Sequence, residues 1–332
     1  MDMVAEALCE IHTSAEWDRA LQSFHFIPPG QTASWSEGRY SGDHRIRRFI
    51  SAKPGAIAVQ GILKQSLGVS RFIAEDGPIL GDACDEQTVS AFVLALRQRL
   101  GGTCLASFSN VQPHDPVLEL WLRKAGLRRP WATILSPLTL YVDCSDASRF
   151  ENGFTRDWRQ NIRRGKKKGL TFEVGELADS SARADLLRIY SETYRIKRAV
   201  EQLDVSMLRA LARDVRWRLF FGSHAGGRVS ARLIFISGRT AFDFVAGATA
   251  YGRQISASHF LAASILRHLA ESGVEAFDFG RIGPGRYDSV DYFKRGSGGR
   301  PVAYLGEWTL NSRPWFEFAF AGGGYLRRRE RW

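Results

Sequence analysis

A glycine-rich stretch near the end of the chain holds the residues best suited to chemistry. It follows a short apolar strand, Ala276–Phe279, and precedes a second strand, Val302–Leu310, with six glycines within twenty residues. Glycine permits positive φ and close backbone approach, so this stretch predicts a shaped loop. Lys294 stands in it beside Phe293, and a flexible ammonium can hold a phosphate or a developing oxyanion. Spacing leaves open the alternative, a surface lysine in a polar connection.

A basic run in the middle of the chain is the second candidate. Residues 156–168 contain seven basic residues and one acid, Asp157. If the run is helical, one face carries Arg156, Arg159, Arg163 and Lys167. Trp158 and Ile162 share another face and would dock the helix. Such a basic face suits the phosphates of RNA or of a nucleotide diphosphate; the alternative is a solvated charged face.

Composition limits the function classes. The 332 residues are 44% hydrophobic and 12% aromatic, enough for real cores and for two domains. The net charge of +11 and the pI near 9.8 favour an anionic partner: nucleic acid, a nucleotide-linked substrate or a membrane surface. The sequence has no apolar run that could span a membrane and no signal-peptide pattern, which predicts a cytoplasmic protein.

Metal, disulfide and hydrolase chemistry find no support in the sequence. The four cysteines lie far apart and form no CxxC pair. His259 and His268 share one predicted helix but are nine residues apart, so they are not a metal pair. The chain contains no GxSxG, HExxH or P-loop motif. We therefore predict no bound metal.

The elements that must position these residues repeat along the chain. Each half follows the order helix, three-strand meander, helix, strand, loop or helix, strand. The meanders are Arg45–Ala52, Ala56–Lys64 and Val69–Ala74, then Trp217–Phe221, Arg228–Ile236 and Thr240–Ala246. Asp85 can cap the helix after the first meander, and Ala257–Glu271 is the helix after the second. The pattern predicts α/β domains with mixed α+β sheets, over residues 1–150 and 151–332; one mixed α/β enzyme of unrelated fold is the alternative.

Several motifs resemble those of one transferase family. The end of the chain carries Asp278-Phe279-Gly280, then residues 293–299 (FKRGSGG), then Leu305-Gly306-Glu307. Residues 31–35 (QTASW), 76–79 (DGPI) and 159–169 (RQNIRRGKKKG) follow the same family order. Together they resemble the Fem-type (FemABX) transferases, relatives of the GNAT acyltransferases. The resemblance implies two tandem GNAT-like acyltransferase domains, the second carrying the DFG…FKRGSGG block.

The resemblance also implies an activity and a set of partners. It points to transfer of an acyl or aminoacyl group to an amine, with an aminoacyl-tRNA as donor and a peptidoglycan-precursor peptide or another amine-bearing metabolite as acceptor. Lys294 would place its charge near the carbonyl or the tRNA end, and Phe293 would fix it by packing. Asp291 and Asp288 would orient the acceptor or its proton. No bound cofactor is implied.

Further residues receive roles by the same resemblance. Tyr190, Arg195 and Lys197 would line the acceptor site, with Arg39 in the first domain. In the first domain Asp115 either replaces the family's acid near the substrate or no carboxylate does. The donor or its phosphates would meet Arg159, Arg163, Lys167 and Arg253.

The loop at residues 251–258 (YGRQISAS) bears on the choice of donor. A CoA-using domain carries Q/R-x-x-G-x-G/A here, where backbone amides at a helix start bind pyrophosphate. Ser256 and Ser258 replace the glycines, and serine at a helix start predicts an ordinary cap. An acyl-CoA-dependent N-acyltransferase is therefore the second hypothesis. A non-catalytic RNA- or anion-binding protein is the third.

Overall fold

A computed structural model of the chain describes residues 7–40, 45–66, 68–197, 203–283 and 289–312, without the side chains of 147–149 and 194–197. The strands are β1 (Leu8–Glu10), β2 (Ile46–Ser51), β3 (Ile57–Ser66), β4 (Val69–Asp76), β5 (Ile79–Leu80), β6 (Cys104–Pro113), β7 (Leu138–Asp143), β8 (Thr171–Gly175), β9 (Trp217–His224), β10 (Gly227–Ser237), β11 (Thr240–Ala248), β12 (Ala276–Arg281) and β13 (Arg300–Asn311). The helices are α1 (Ser14–Leu21), α2 (Ala33–Arg39), α3 (Glu86–Leu100), α4 (Pro116–Lys124), α5 (Ala147–Gly153), α6 (Arg156–Lys167), α7 (Ser180–Lys197), α8 (Val205–Leu211), α9 (Ala250–Gln254), α10 (Ala257–Glu271) and α11 (Ser289–Gly296).

The chain divides into two compact units. Unit 1 comprises Met1–Ser36, Gly42–Pro137 and Ala303–Trp332, and unit 2 comprises Glu37–Ser41 and Leu138–Val302. The predicted domains, residues 1–150 and 151–332, stay a sequence-based prediction. The units place β7 in unit 2 and most of β13 in unit 1.

Unit 1 is built on a mixed sheet in the order β1-β2-β3-β4-β6-β13, with β5 beside β3. Only the β4–β6 pair is parallel among these strands, and α3 provides the crossover between them. Asp85 caps α3 as predicted, since its carboxylate accepts a hydrogen bond from Thr88 N at 2.8 Å. The apolar face of α3 packs into a core that contains Phe72, Phe108 and Trp308.

Unit 2 repeats this succession in the order β8-β9-β10-β11-β12-β7. The meander β9–β11 is antiparallel, and α10 crosses over to β12, which runs parallel to β11. The bounds of α10 coincide with the predicted helix, and its buried face includes Leu261, Ile265 and Leu266. The tandem α/β prediction, with mixed sheets, is confirmed at this level.

The last strand of each sheet comes from an unexpected part of the chain. The sequence predicts that Val302–Leu310 completes the second half. Instead, β13 pairs antiparallel with β6 of unit 1, while β7 pairs antiparallel with β12 of unit 2. That prediction is wrong because strand pairing over such a sequence separation leaves no local pattern.

Two smaller differences concern unit 1. The sequence predicts a loop at residues 109–116 (SNVQPHDP) after a strand at Thr103–Phe108, and this is wrong in its first part, because β6 continues to Pro113. Asp115 caps α4 by accepting a hydrogen bond from Val117 N at 2.7 Å. Its carboxylate therefore has a structural role at this helix start.

Candidate active site

An opening between two parallel strands of unit 2 creates a cavity. β11 and β12 pair only from Thr240–Phe242 to Ala276–Asp278, although β11 continues to Ala248. A cavity of about 350 Å³ lies there, lined by residues of α7, β10, β11, α9, α10, β12 and α11. In unit 1 the equivalent pair stays together over Ser70–Asp76 and Cys104–Asn110. Unit 2 thus offers both a concave site and backbone groups able to bind an extended ligand.

Lys294 lines this cavity from a helix, not from a loop. The prediction of a shaped loop is wrong for residues 289–296, which form α11. The Lys294 side chain is partly buried, and its Nζ donates a hydrogen bond to the carbonyl oxygen of Arg281 at 2.7 Å. Gly280 has φ of 78°, and a Cβ built there would lie 3.7 Å from Nζ. The lysine therefore has a defined position at the end of β12.

The basic helix α6 holds α11 in place. Trp158 Nε1 donates a hydrogen bond to the carbonyl oxygen of Phe293 at 2.8 Å, and Tyr292 OH donates one to Asp157 Oδ2 at 2.6 Å. Gly296 lies against Trp158, since a Cβ built there would be 2.3 Å from the indole Cδ1. The predicted docking of α6 through Trp158 is thus observed. Contacts from α6 hold Tyr292 and Phe293, the two residues that precede Lys294.

Charged groups around Lys294 affect its protonation in opposite directions. Burial lowers the pKa of Lys294 below 10.5, and the positive charge of Arg232 acts in the same direction. The carboxylates of Asp243, Asp291 and Asp278 oppose this shift. Lys294 can therefore carry the charge of an ammonium group while losing its proton more readily than a lysine in water.

A buried ion pair beneath Lys294 was missed by the sequence analysis. Arg232 of β10 and Asp243 of β11 form a salt bridge in which each side chain is 5% exposed. The Arg232 guanidinium also lies over the Phe293 ring, 5.3 Å from its centroid. Burial raises the pKa of Asp243, and the charges of Arg232 and Lys294 oppose that shift. An arginine inside the apolar strand RLIFI was the available signal, because a buried charge needs a partner.

The predicted catalytic residues lie on one helix beside the cavity. Phe293 and Lys294 line it. Asp291 is buried, and its Oδ2 accepts a hydrogen bond from Gly283 N at 2.7 Å. The predicted packing role of Phe293 agrees with its contacts to Trp158 and His259.

The predicted acceptor residues are more scattered. Tyr190 is buried in α7, Arg39 is exposed at the end of α2, and neither lines the cavity. Arg195 and Lys197 lie in the last turn of α7, and their side chains are outside the described part of the chain. Asp288 also lies outside the described residues. Their roles stay predictions.

The predicted donor residues form two groups. Arg159, Arg163 and Lys167 are exposed on α6. Arg253 lines the cavity, and its Nη1 donates a hydrogen bond to Ala248 O at 2.5 Å. No carboxylate pairs with Arg253 among the described residues. A guanidinium held only by a neutral carbonyl can accept an anionic ligand.

The serine cap predicted before α10 is wrong. Ser256 precedes α10 but makes no side-chain cap bond; its Oγ instead donates a hydrogen bond to Asn161 Oδ1 of α6 at 2.8 Å. Its φ of 63° is the left-handed conformation that glycine adopts readily. The backbone at Ser256 thus keeps a glycine-like conformation at a motif position where CoA-using domains have glycine.

Residues 154–295 match the Acetyltransferase (GNAT) domain. The match covers α6 through most of α11, and hence all the cavity residues named above. It confirms the predicted relationship to the GNAT acyltransferases and the assignment of the chain as an acyltransferase. No curated protein gave a significant match.

Solved structures share the fold over nearly the whole chain. A structure described as FemX has a TM-score of 0.75 and 14% identity, covering 93% of this chain and 99% of that one. The C-terminal domain of a putative lysylphosphatidylglycerol synthetase from Agrobacterium fabrum has a TM-score of 0.63 and 17% identity, covering 92% and 94%. A tandem GNAT protein from the clavulanic acid biosynthesis pathway has a TM-score of 0.52 and 11% identity, covering 92% and 99%. At these identities the likeness establishes the fold, and it confirms the Fem-type resemblance at that level.

Two searches of the described residues gave negative results. Within them, no helix has the length and apolar character needed to cross a membrane. In the same ranges, no group of three or more His, Cys, Asp or Glu residues is arranged to hold a metal ion.

Proposed function

We propose that the chain transfers an aminoacyl group to an amine acceptor, forming an amide, at the cavity of unit 2. The observation that carries this proposal is the partly buried Lys294, fixed by the Arg281 carbonyl beside the opening between β11 and β12. The cavity is large enough for an aminoacyl ester end and has one ammonium at a defined place.

The chemistry requires few protein groups. A neutral acceptor amine attacks the ester carbonyl carbon, the C–N bond forms, and the carbonyl oxygen becomes negative. The charge of Lys294 stabilises that oxygen most in the transition state. Collapse of the intermediate breaks the C–O bond to the donor, and the leaving oxygen takes up the proton that the amine loses.

The donor is proposed to be an aminoacyl-tRNA. The exposed basic face of α6, with Arg159, Arg163 and Lys167, would contact tRNA phosphates, and Arg253 would bind a phosphate at the cavity. The Ser256-Asn161 hydrogen bond connects α6 to the start of α10, so the basic face and the cavity belong to one packed region of unit 2. The likeness to FemX agrees with this choice.

The acceptor is proposed to be a peptidoglycan-precursor peptide or a similar amine, including one linked to a nucleotide. Asp291, Asp288, Tyr190, Arg195, Lys197 and Arg39 are the proposed acceptor residues. The basic surface and the similarity to a lysylphosphatidylglycerol synthetase domain also make an acceptor at a membrane surface worth testing. We place the protein in the cytoplasm, where charged tRNA is available.

The second candidate is an acyl-CoA-dependent N-acyltransferase. The left-handed backbone of Ser256 favours it, because that conformation belongs to the glycine positions of a pyrophosphate-binding loop. The third candidate, a non-catalytic anion- or RNA-binding protein, would use the same basic groups without transfer.

The test incubates pure protein with labelled aminoacyl-tRNAs or labelled acyl-CoA and a panel of amines, and measures amide formation. The Lys294→Met variant keeps the bulk of the side chain but removes its charge, and we expect kcat to fall on the order of 10²-fold. Lys294→Arg should recover only part of the activity, since a planar guanidinium replaces a compact ammonium. Melting temperatures of the three proteins serve as the control. Full kcat in a stable Lys294→Met variant would show that Lys294 is structural, and anion binding without transfer would favour the third candidate.

A further inference from the structure

One oxygen of the buried Asp243 carboxylate has no partner. Its Oδ2 receives the Arg232 guanidinium, whereas Oδ1 is buried and accepts no hydrogen bond from any described residue. Buried carboxylate oxygens in folded proteins almost always accept at least one hydrogen bond. Asp243 is also among the residues that line the cavity. The missing donor is therefore best supplied by a ligand.

The unpartnered oxygen requires a hydrogen-bond donor on that ligand. The carboxylates of Asp243, Asp278 and Asp291 all act on Lys294, against the two positive charges of Lys294 and Arg232. Asp278 Oδ1 is already engaged by Thr139 Oγ1 and Gly280 N. Asp291 Oδ2 is engaged by Gly283 N. Arg253 also lines the cavity and adds a third positive charge, so the net charge selects no ligand; the oxygen without a donor belongs to Asp243.

We propose that Asp243 Oδ1 binds the α-ammonium group of the aminoacyl moiety being transferred. This inference rests on the proposed function and specifies its donor. The acceptor amine must be neutral to attack the carbonyl, and a carboxylate beside it would keep it protonated. The α-ammonium does not react, so a carboxylate can hold it through the whole reaction. It lies about 2.5 Å from the ester carbonyl carbon, close enough for Asp243 and Lys294 to contact one donor end together.

Asp243 then determines donor class. An aminoacyl ester carries the positive group that completes the hydrogen bonding of Asp243. A simple acyl group, such as an acetyl thioester, leaves the carboxylate oxygen without a partner when bound. A site built around such a hydrogen bond rejects a ligand that lacks it.

The test compares two forms of the same donor. tRNAs charged in turn with each amino acid are assayed with the amine panel, and the best donor is then assayed before and after N-acetylation of its aminoacyl group. N-acetylation removes the positive charge and keeps the ester and the tRNA. We expect the wild-type kcat/KM to fall at least about tenfold on acetylation. In Asp243→Asn, the rate with the native donor should fall. The preference, defined as the ratio of kcat/KM for the native donor to that for the acetylated donor, should approach one.

Two further variants keep the result interpretable. Removing one partner of a buried ion pair can prevent folding, so Asp243→Asn is paired with the double variant Arg232→Met/Asp243→Asn, which removes both charges. Asp278→Asn is the matched control: it removes a neighbouring buried carboxylate that is already hydrogen bonded, and it should retain the wild-type preference whatever its rate.

The outcomes separate the two proposals. Loss of the preference in the Asp243 variants, with retention in Asp278→Asn, supports the assignment. Equal use of the native and acetylated donors by the wild type, or an unchanged preference in both Asp243 variants, overturns the assignment and leaves the proposed transferase function in place. Transfer from no charged tRNA at all overturns the proposed donor, and the inference with it.

Discussion

His259 provides a direct test of the ring cluster that supports Lys294. Its imidazole packs against Trp158 and Phe293, with ring centroids 5.4 Å and 4.8 Å apart. Burial, and then the charge of Arg232, lowers the pKa of His259 from 6.5 to about 4. Protonation at this place therefore opposes folding, and it would loosen the packing around Phe293.

The sign and size of the effect follow from linkage. The pKa of His259 is lower in the folded chain than in the unfolded chain, so the unfolded chain binds more protons between pH 6.5 and about 4. Above pH 6.5 His259 is neutral in both states and does not reduce the unfolding free energy. As the pH falls from 6.5 towards 4, the unfolding free energy decreases progressively. Between pH 8 and pH 5 the loss amounts to roughly 2 kcal/mol of unfolding free energy.

The assay compares wild type with His259→Phe, which keeps an aromatic ring and cannot titrate. Urea unfolding at pH 8 and pH 5, followed by tryptophan fluorescence, gives the pH-dependent loss in each protein. Other groups also titrate in acid, such as Glu119 with its pKa lowered to about 2, but they are common to both proteins. We expect the wild type to lose about 2 kcal/mol more than the variant. Equal losses, or a His259 imidazole that titrates near its ordinary pKa by NMR, would refute the argument.

Three further predictions concern the helices and the lysine. Neutralising Arg159, Arg163 and Lys167 together should weaken tRNA binding and flatten its dependence on salt, and an unchanged slope in a filter-binding assay would leave only a solvated face. Gly296→Ala should lower stability by about 1–3 kcal/mol and reduce transfer, because its Cβ would meet Trp158 at 2.3 Å. The control is Gly227→Ala, whose Cβ would meet only His224 O at 3.7 Å. Equal melting temperatures of these two variants would contradict the prediction. Because burial lowers the pKa of Lys294, kcat should decline as the pH rises through a value below 10.5, and Lys294→Arg should lack this decline; an identical alkaline profile in the two proteins would disprove it.

Local patterns in the sequence predicted much of the fold. Asp85 caps α3 as predicted, where a polar residue precedes an amphipathic run. The period of Trp158 and Ile162 correctly indicated how α6 docks. These features depend on contacts within a few residues, which a single sequence displays.

The site was only partly predictable. Lys294 and Phe293 were found through a family motif, yet their helix was missed because glycines surround it and its hydrogen-bond partners, Asp157 and Trp158, lie far away in the sequence. Arg232 and Asp243 stand in strands where alternation makes a polar residue look solvent-facing. Their pairing depends on the register between β10 and β11, which includes an irregularity at Leu233–Ile234. Arg232 within an apolar strand signalled a buried partner, but the register that selects Asp243 has no local signature.

The position of β13 has a consequence for how the protein is made. One edge of β6 pairs with β13 (Arg300–Asn311), which lies about 200 residues further along the chain. At typical translation rates, roughly 10–40 seconds separate the synthesis of the two strands. During that time β6 exposes an unpaired edge of the kind that promotes aggregation. A fragment that stops at Pro137 would leave the same edge open, so unit 1 can be produced alone only if β13 is supplied with it, for example by circular permutation.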